Sequence, residues 1–193
     1  YLSSDGKIQF DPLAYAVSEC HSKGIALHAW VNPLRVSVKK SDSREAALSA
    51  LPQDKGAALS PELLVFYGDG KLYYNAGLPE VCELVKKCVT EIVENYDVDG
   101  IVFDDYFYPY PANGAEFDDA DAYAKYGNGA ERDDWRRENI NMIIKACHDG
   151  IKAIRSDCKF GVAPFGIWQN DNGNNGGSDT SGLEGYFSLY CDA

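Results

Sequence analysis

Three times along this chain a helix-spaced apolar stripe gives way to a short, almost wholly apolar run. Leu13, Ala16, Val17 and Cys20 recur at helical spacing, Gly24 stops them, and Ile25-Ala26-Leu27-His28-Ala29-Trp30-Val31 follows. Val81, Leu84, Val85, Cys88, Val89, Ile92 and Val93 form a second stripe, which leads through Tyr96-Asp97-Val98 into Ile101-Val102-Phe103. Asp133-Asp134 opens a third, through Trp135, Ile140, Ile143, Ile144, Cys147, Ile151 and Ile154, which ends in Phe160-Gly161-Val162-Ala163. A period near 3.6 is an amphipathic helix, and a short apolar run bounded by Gly or Pro is a strand buried on both faces. Helix and strand in alternation predict an α/β chain built on a parallel sheet. Asp11-Pro12 and Leu78-Pro79 supply helix starts, with Pro at the first helical position.

Each strand ends in polar and aromatic residues: His28, Trp30 and Asn32; then Asp104, Asp105 and Tyr106; then Phe165, Trp168 and Asn170. That repetition predicts a barrel of the (β/α)8 TIM type with its site on the carboxyl face. No GxGxxG or phosphate-binding loop occurs, which disfavours a nucleotide-binding doubly wound sheet. At 193 residues the expectation is a single domain, 1–193, or most of one. Residues 36–77 read as a long insertion after the first strand, with a short helix over 43–51. Leu63-Leu64-Val65-Phe66-Tyr67, the Asp69-Gly70 turn and Lys71-Leu72-Tyr73-Tyr74 then read as a β-hairpin. Residues 1–10 read as an irregular lead-in.

A net charge of −12 argues against nucleic-acid binding and against docking on anionic membranes. No apolar run reaches the ~18 residues of a transmembrane helix. Tyr1 does not begin a signal peptide, and a start without Met reads as a processed or excised segment. The six cysteines lack a CxxC pair and zinc-ligand spacing, so they read as buried free thiols that leave the compartment open. No metal or cofactor is expected. Asp118, Asp119 and Asp121 lack the EF-hand pattern and read as a solvated loop or helix start.

The chemistry concentrates in Asp99-Gly100-Ile101-Val102-Phe103-Asp104-Asp105-Tyr106-Phe107-Tyr108-Pro109. Two carboxylates at a strand end can act on a glycosidic bond, and flat rings can stack on a pyranose. The competing use of Asp104 and Asp105 is to cap the next turn or pair with an arginine, with Arg136 and Arg137 as the candidates. Both arginines sit in the first turn of a helix, where the dipole disfavours cations and something acidic is needed. His28, Trp30 and Asn32 share a strand face by the period of two. That company turns His28 from an ordinary core residue into a binding candidate. A weaker idea joins His28 to the Asp pair in a metal-dependent hydrolase. His21, next to Cys20 on a helix, reads as a surface residue.

Phe10-Asp11-Pro12-Leu13, His28-Ala29-Trp30-Val31-Asn32-Pro33, Gly77-Leu78-Pro79-Glu80-Val81, the 96–109 stretch, Trp135-Arg136-Arg137-Glu138-Asn139 and Pro164-Phe165-Gly166-Ile167-Trp168 together resemble the bacterial glycosyl-hydrolase-like family 10. That family includes divisome-localised glycosyl hydrolases. The resemblance runs over nearly the whole chain. It implies a TIM-type barrel in the extracytoplasmic cell envelope or periplasm, often on a lipoprotein, that hydrolyses peptidoglycan strands stripped of their peptides. The chain would be an incomplete barrel covering about the middle strands, the third to fifth. Asp104 carries over as the main catalytic carboxylate and Asp105 as the second choice. His28, Trp30, Asn32, Arg35, Tyr106, Tyr108, Trp168 and Asn170 would line the sugar subsites. Gln169 stands where members usually carry Arg, and Leu34 where they carry an aromatic. The Asp99-Gly100-x-x-x-Asp104 spacing also resembles the fourth-strand nucleophile of amylase-like barrels, yet Val162-Ala163-Pro164 lacks their fifth-strand Glu. The second acid is Asp105, Glu116 or Asp118, or lies outside this chain. The alternative is a glycan-binding protein of the envelope that turns nothing over.

Overall fold

The computed structural model describes residues 10–53, 56–173 and 175–192. The lead-in expected over residues 1–10 lies outside them, Phe10 excepted. Helix α1 (Pro12–His21) starts where the sequence places it: the Asp11 carboxylate accepts from the Leu13 and Ala14 N–H groups, and Pro fills the first helical position. Past its end Gly24 takes φ +68°, a left-handed conformation that costs glycine little. Strand β1 (His28–Val31) follows.

The chain then runs through α2 (Arg44–Ser49), capped by the Ser43 hydroxyl, and two single 3-10 turns. Strands β2 (Leu64–Phe66) and β3 (Leu72–Tyr74) pair antiparallel across a turn in which Gly70 has φ +81°. Residues 34–37 lie along the other edge of β3, bonded from Tyr74 N–H to Leu34 C=O and from Val36 N–H to Leu72 C=O. Helix α3 (Pro79–Asn95) delivers the chain to β4 (Gly100–Phe103). After α4 (Ala120–Tyr126) comes α5 (Arg132–Ile154), then β5 (Lys159–Val162). A single wide helical turn spans Gly185–Leu189.

The main sheet is parallel with order β1-β4-β5, His28 opposite Gly100 and Gly100 opposite Lys159. Each new strand is added on the same side of the last. Right-handed crossovers that never reverse direction put the connecting helices α3 and α5 on one face of the sheet. That one-sided layering is consistent with a partial barrel, whereas a doubly wound sheet needs a reversal. Ala29 and Val31, Ile101 and Phe103, and Phe160 and Val162 share the helix side by register. Val81, Val85, Val89 and Val93 of α3, at strict four-residue spacing, and Ile140, Ile143, Cys147 and Ile151 of α5 complete this core. Each such aliphatic side chain contributes roughly 1.5–3 kcal/mol by leaving water. Cys88 departs from the expected stripe and is exposed, because it lies off the buried Val81-Val85-Val89-Val93 line of α3. All six cysteines are free thiols.

A second departure is electrostatic. Asp119, expected in a solvated loop or at a helix start, does precede α4 but is buried, and its carboxylate takes Arg136 through both oxygens at 2.8 Å as well as Arg132. Arg136 also donates to the Tyr190 hydroxyl at 2.8 Å and stands over the Tyr190 and Tyr108 rings. Arg137 pairs with Asp134 and stacks on Tyr186, 4.0 Å from its centroid. The acids that neutralise Arg136 and Arg137 are therefore Asp119 and Asp134, and not the central Asp pair. His21, exposed at the end of α1, nevertheless pairs with the Asp99 carboxylate at 2.9 Å.

Candidate active site

The site forms where β1 and β4 end. Strand alternation would send Asp104 and Asp105 to opposite faces, but pairing stops at Phe103 and Asp105 adopts φ +47°. The chain turns there. Asp104 keeps the parity of Gly100 and Val102, the face away from α3 and α5, and is half-buried. One of its oxygens accepts the Asp105 N–H at 3.0 Å, so the turn-capping use is real. No cation pairs with it among the described residues. Asp105 does take an arginine: Arg35 donates to it at 2.9 Å.

Asn32 ties these pieces together. Its amide N–H donates to the Asp104 carbonyl at 2.6 Å, and its side-chain oxygen accepts from Arg35 at 2.7 Å. The Tyr110 hydroxyl reaches the other Asp105 oxygen at 3.4 Å. From the hairpin side, Arg35 bridges to Tyr73 through the backbone, and the Tyr73 hydroxyl and Lys71 ammonium both hold Asp69, at 2.8 and 3.1 Å. Burial first, and the Asp69 hydrogen bond second, push the Tyr73 hydroxyl well above the usual phenol range, so it stays protonated. A cavity of about 240 Å³ opens among Arg35, Asp69, Lys71, Tyr73, Asp105 and Tyr110.

Of the residues proposed from sequence, the structure thus brings Asp104, Asp105, Asn32 and Arg35 into one network. Tyr106 falls away from it, and Tyr108 borders the cavity with its ring enclosed: they are 1% and 2% exposed and cannot stack on a sugar. The left-handed turn at Asp105 folds them beneath the mouth, where the Tyr106 hydroxyl meets the Cys191 sulfur at 3.1 Å and Tyr108 packs edge-on against Phe117 and Tyr190. His28 is also displaced. It starts β1, opposite Gly100, so Asp104 lies four residues further on, about 13 Å along the strand. It cannot share a metal with the Asp pair, and no cluster of three or more metal-ligating side chains occurs among the described residues. Trp30 stands 72% exposed on the face away from α3 and α5. Trp168, 40% exposed, donates to Asp192 and meets Tyr186 edge-on. Asn170 organises its own loop instead, bonded to Glu184, Gly182 and Thr180. Glu116 is exposed beside Arg132, and Asp118 is exposed.

Tyr110, Asp69, Lys71 and Tyr73 are the site residues that sequence reasoning missed. Tyr110 carried a signal, since Pro109 and Pro111 hold it in an extended segment with its ring outward. The hairpin residues carried none that is local: they meet Asp105 only through the pairing of Arg35 with Tyr73.

Fold and site together define an α/β chain whose parallel sheet gathers carboxylates, an arginine and aromatic rings at its carboxyl end. The chain belongs to the family Glycosyl hydrolase-like 10, whose profile matches residues 3–186. It is 40% identical over 186 residues to "Glycosyl hydrolase YngK" of Bacillus subtilis (strain 168), covering 95% of this chain and 35% of that protein. It is 36% identical over 186 residues to "Glycosyl hydrolase DigH" of Escherichia coli (strain K12), covering 95% of this chain and 42% of the relative. The chain therefore spans less than half the length of either. Among solved structures it is similar to an alpha-L-fucosidase isoenzyme 2 from Paenibacillus thiaminolyticus, with TM-score 0.51, 16% identity, and coverage of 83% of this chain and 24% of that one. At that identity the likeness speaks for the fold alone. Family membership supports a glycan-related function. No helix among the described residues is long and apolar enough to cross a membrane.

Proposed function

We propose that this chain is the middle of a TIM-type barrel in a glycoside hydrolase that cleaves peptide-free cell-wall glycan in the extracytoplasmic envelope, with Asp104 as a reacting carboxylate. The observation that carries this reading is the unequal treatment of the two acids. Asp105 is neutralised by Arg35, while Asp104 stands at the end of the central strand, on the face away from α3 and α5, with no cation against it among the described residues. An acid left open to one side is placed to hold or accept a proton at a glycosidic oxygen, or to attack the anomeric carbon. Asn32 and Arg35 fix its backbone from the neighbouring strand, which keeps the carboxylate in position while a sugar is bound. Trp30 and Trp168 offer rings for flanking sugars.

The test is release of reducing ends from peptide-free glycan strands by the intact protein and by Asp104→Asn. Loss of about 10²- to 10⁴-fold is expected when an acid–base group is removed. Equal activity in the variant removes Asp104 from the chemistry. A second reading, glycan binding without turnover, is favoured by one fact: the neighbouring acid, Asp105, is committed to Arg35. It predicts oligosaccharide affinity lowered by Trp30→Ala or Trp168→Ala, with no product formed.

A further inference from the structure

The cavity between the β2–β3 hairpin and the strand ends has a charge pattern that selects among sugars. Among the described residues it contains two cations and two carboxylates, and they are already matched, Arg35 with Asp105 and Lys71 with Asp69. We propose that this cavity is a subsite for one uncharged pyranose ring of the glycan, with Asp69, Lys71 and Tyr73 of the hairpin setting that preference. The proposal rests on the glycan-directed reading above.

Three observations support it. First, a third anion brought into a pocket of balanced pairs would lose its water without gaining a counter-charge, whereas a hydrogen-bonded hydroxyl loses far less. Second, the paired groups keep unused hydrogen-bonding capacity suited to hydroxyls. Arg35 commits two of its five N–H groups, to Asp105 and Asn32. Lys71 commits one side-chain N–H, and the Tyr73 oxygen, having donated its proton to Asp69, can still accept. Third, an aromatic ring stands at the rim: Tyr110 is 46% exposed and meets the buried Phe107 edge-on at 5.9 Å. Such a ring suits the C–H face of a pyranose. The volume, about 240 Å³, is below the roughly 300–1,000 Å³ of drug-sized sites and suits one ring, not a disaccharide. Because Asp105 lines the cavity and Asp104 precedes it, the ring would lie beside the bond offered to Asp104. On a strand that alternates uncharged with carboxylate-bearing sugars, this sets the register of cleavage.

The experiment measures binding of a β-linked N-acetylglucosamine tetramer, and of the same tetramer oxidised to carry carboxylates, to the intact protein made inactive by Asp104→Asn. The neutral tetramer is expected to bind at least about tenfold more tightly. Tyr73→Phe is expected to weaken it about threefold and Asp69→Asn about tenfold, both melting as the parent does. Should Asp69→Asn fail to fold, Tyr110→Leu at the exposed rim takes its place, with a similar loss expected. Equal or tighter binding of the carboxylated tetramer overturns the proposal, as does unchanged binding in the folded variants. These outcomes are independent of turnover: an active enzyme deaf to changes at Asp69 and Tyr73 sinks the subsite and spares the hydrolase. A protein that releases no reducing ends, yet loses the tetramer with Tyr73→Phe, does the reverse.

Discussion

Two Asp-Asp pairs, Asp104-Asp105 and Asp118-Asp119, look alike in the sequence and end in opposite situations. At the strand end, Asp105 turns to an arginine and Asp104 is left on the side of the sheet away from α3 and α5. At the start of α4, Asp118 is exposed while Asp119 is enclosed, its two oxygens taken by Arg132 and Arg136. One pair leaves a carboxylate available. The other spends its carboxylate on holding α5 against the loop before α4. An acid's role here is decided by what the fold brings to it, a left-handed turn away from Asp104 in one case and the arginines of α5 packed against Asp119 in the other.

The largest expected effect separates the two directly. Asp104→Asn should cost about 10²- to 10⁴-fold in glycan cleavage with little change in melting temperature. Asp119→Ala should do the opposite. Stranding the enclosed Arg136 costs about 3–5 kcal/mol in denaturant unfolding, while activity per folded molecule is unchanged. If the two variants affect stability alike, the contrast collapses. Arg35→Gln tests the link between the paired and the open acid. Its ion pair with Asp105 is partly exposed, so stability should move by no more than about 1 kcal/mol, while kcat/KM falls about tenfold.

The smallest effect concerns Asp99, the acid at the other end of β4. Hydrogen bonds from His21 and then from the Leu27 N–H hold its carboxyl below the usual carboxylate range. A depressed folded value means that its contribution is complete above about pH 4, the unfolded value, and disappears as the pH falls through the lower folded one. Asp99→Asn should therefore lower stability slightly and evenly above about pH 4 and flatten the acid limb below it, measured by thermal unfolding across the pH range.

Helices and the parallel strands were readable because their periodicities are local: the Val81 to Val93 stripe and the Ile101-Val102-Phe103 run each carry their own signal. The position of Asp104 followed from the strand's end. The fate of Tyr106 and Tyr108 was not readable, because it depends on one backbone angle at Asp105 that most residue patterns do not announce. His28 was misplaced by reading a seven-residue apolar run as all strand, when pairing begins only at His28 itself. The partner of Arg136 was hidden for a different reason. Asp119 is seventeen residues away in the sequence, among acids that composition marks as soluble. Long-range pairing likewise hid Asp69, Lys71 and Tyr73.

The left-handed backbone at Asp105 has a bearing on engineering. Only glycine, asparagine and aspartate enter that conformation readily, so a saturation library at this codon collapses to three useful members. Asparagine keeps the bend and drops the charge, glycine keeps the bend and drops the side chain, and every β-branched choice forces the aromatic residues behind it to repack. Redesign of the mouth is better begun at Tyr110 or Tyr73, whose backbones impose no such filter.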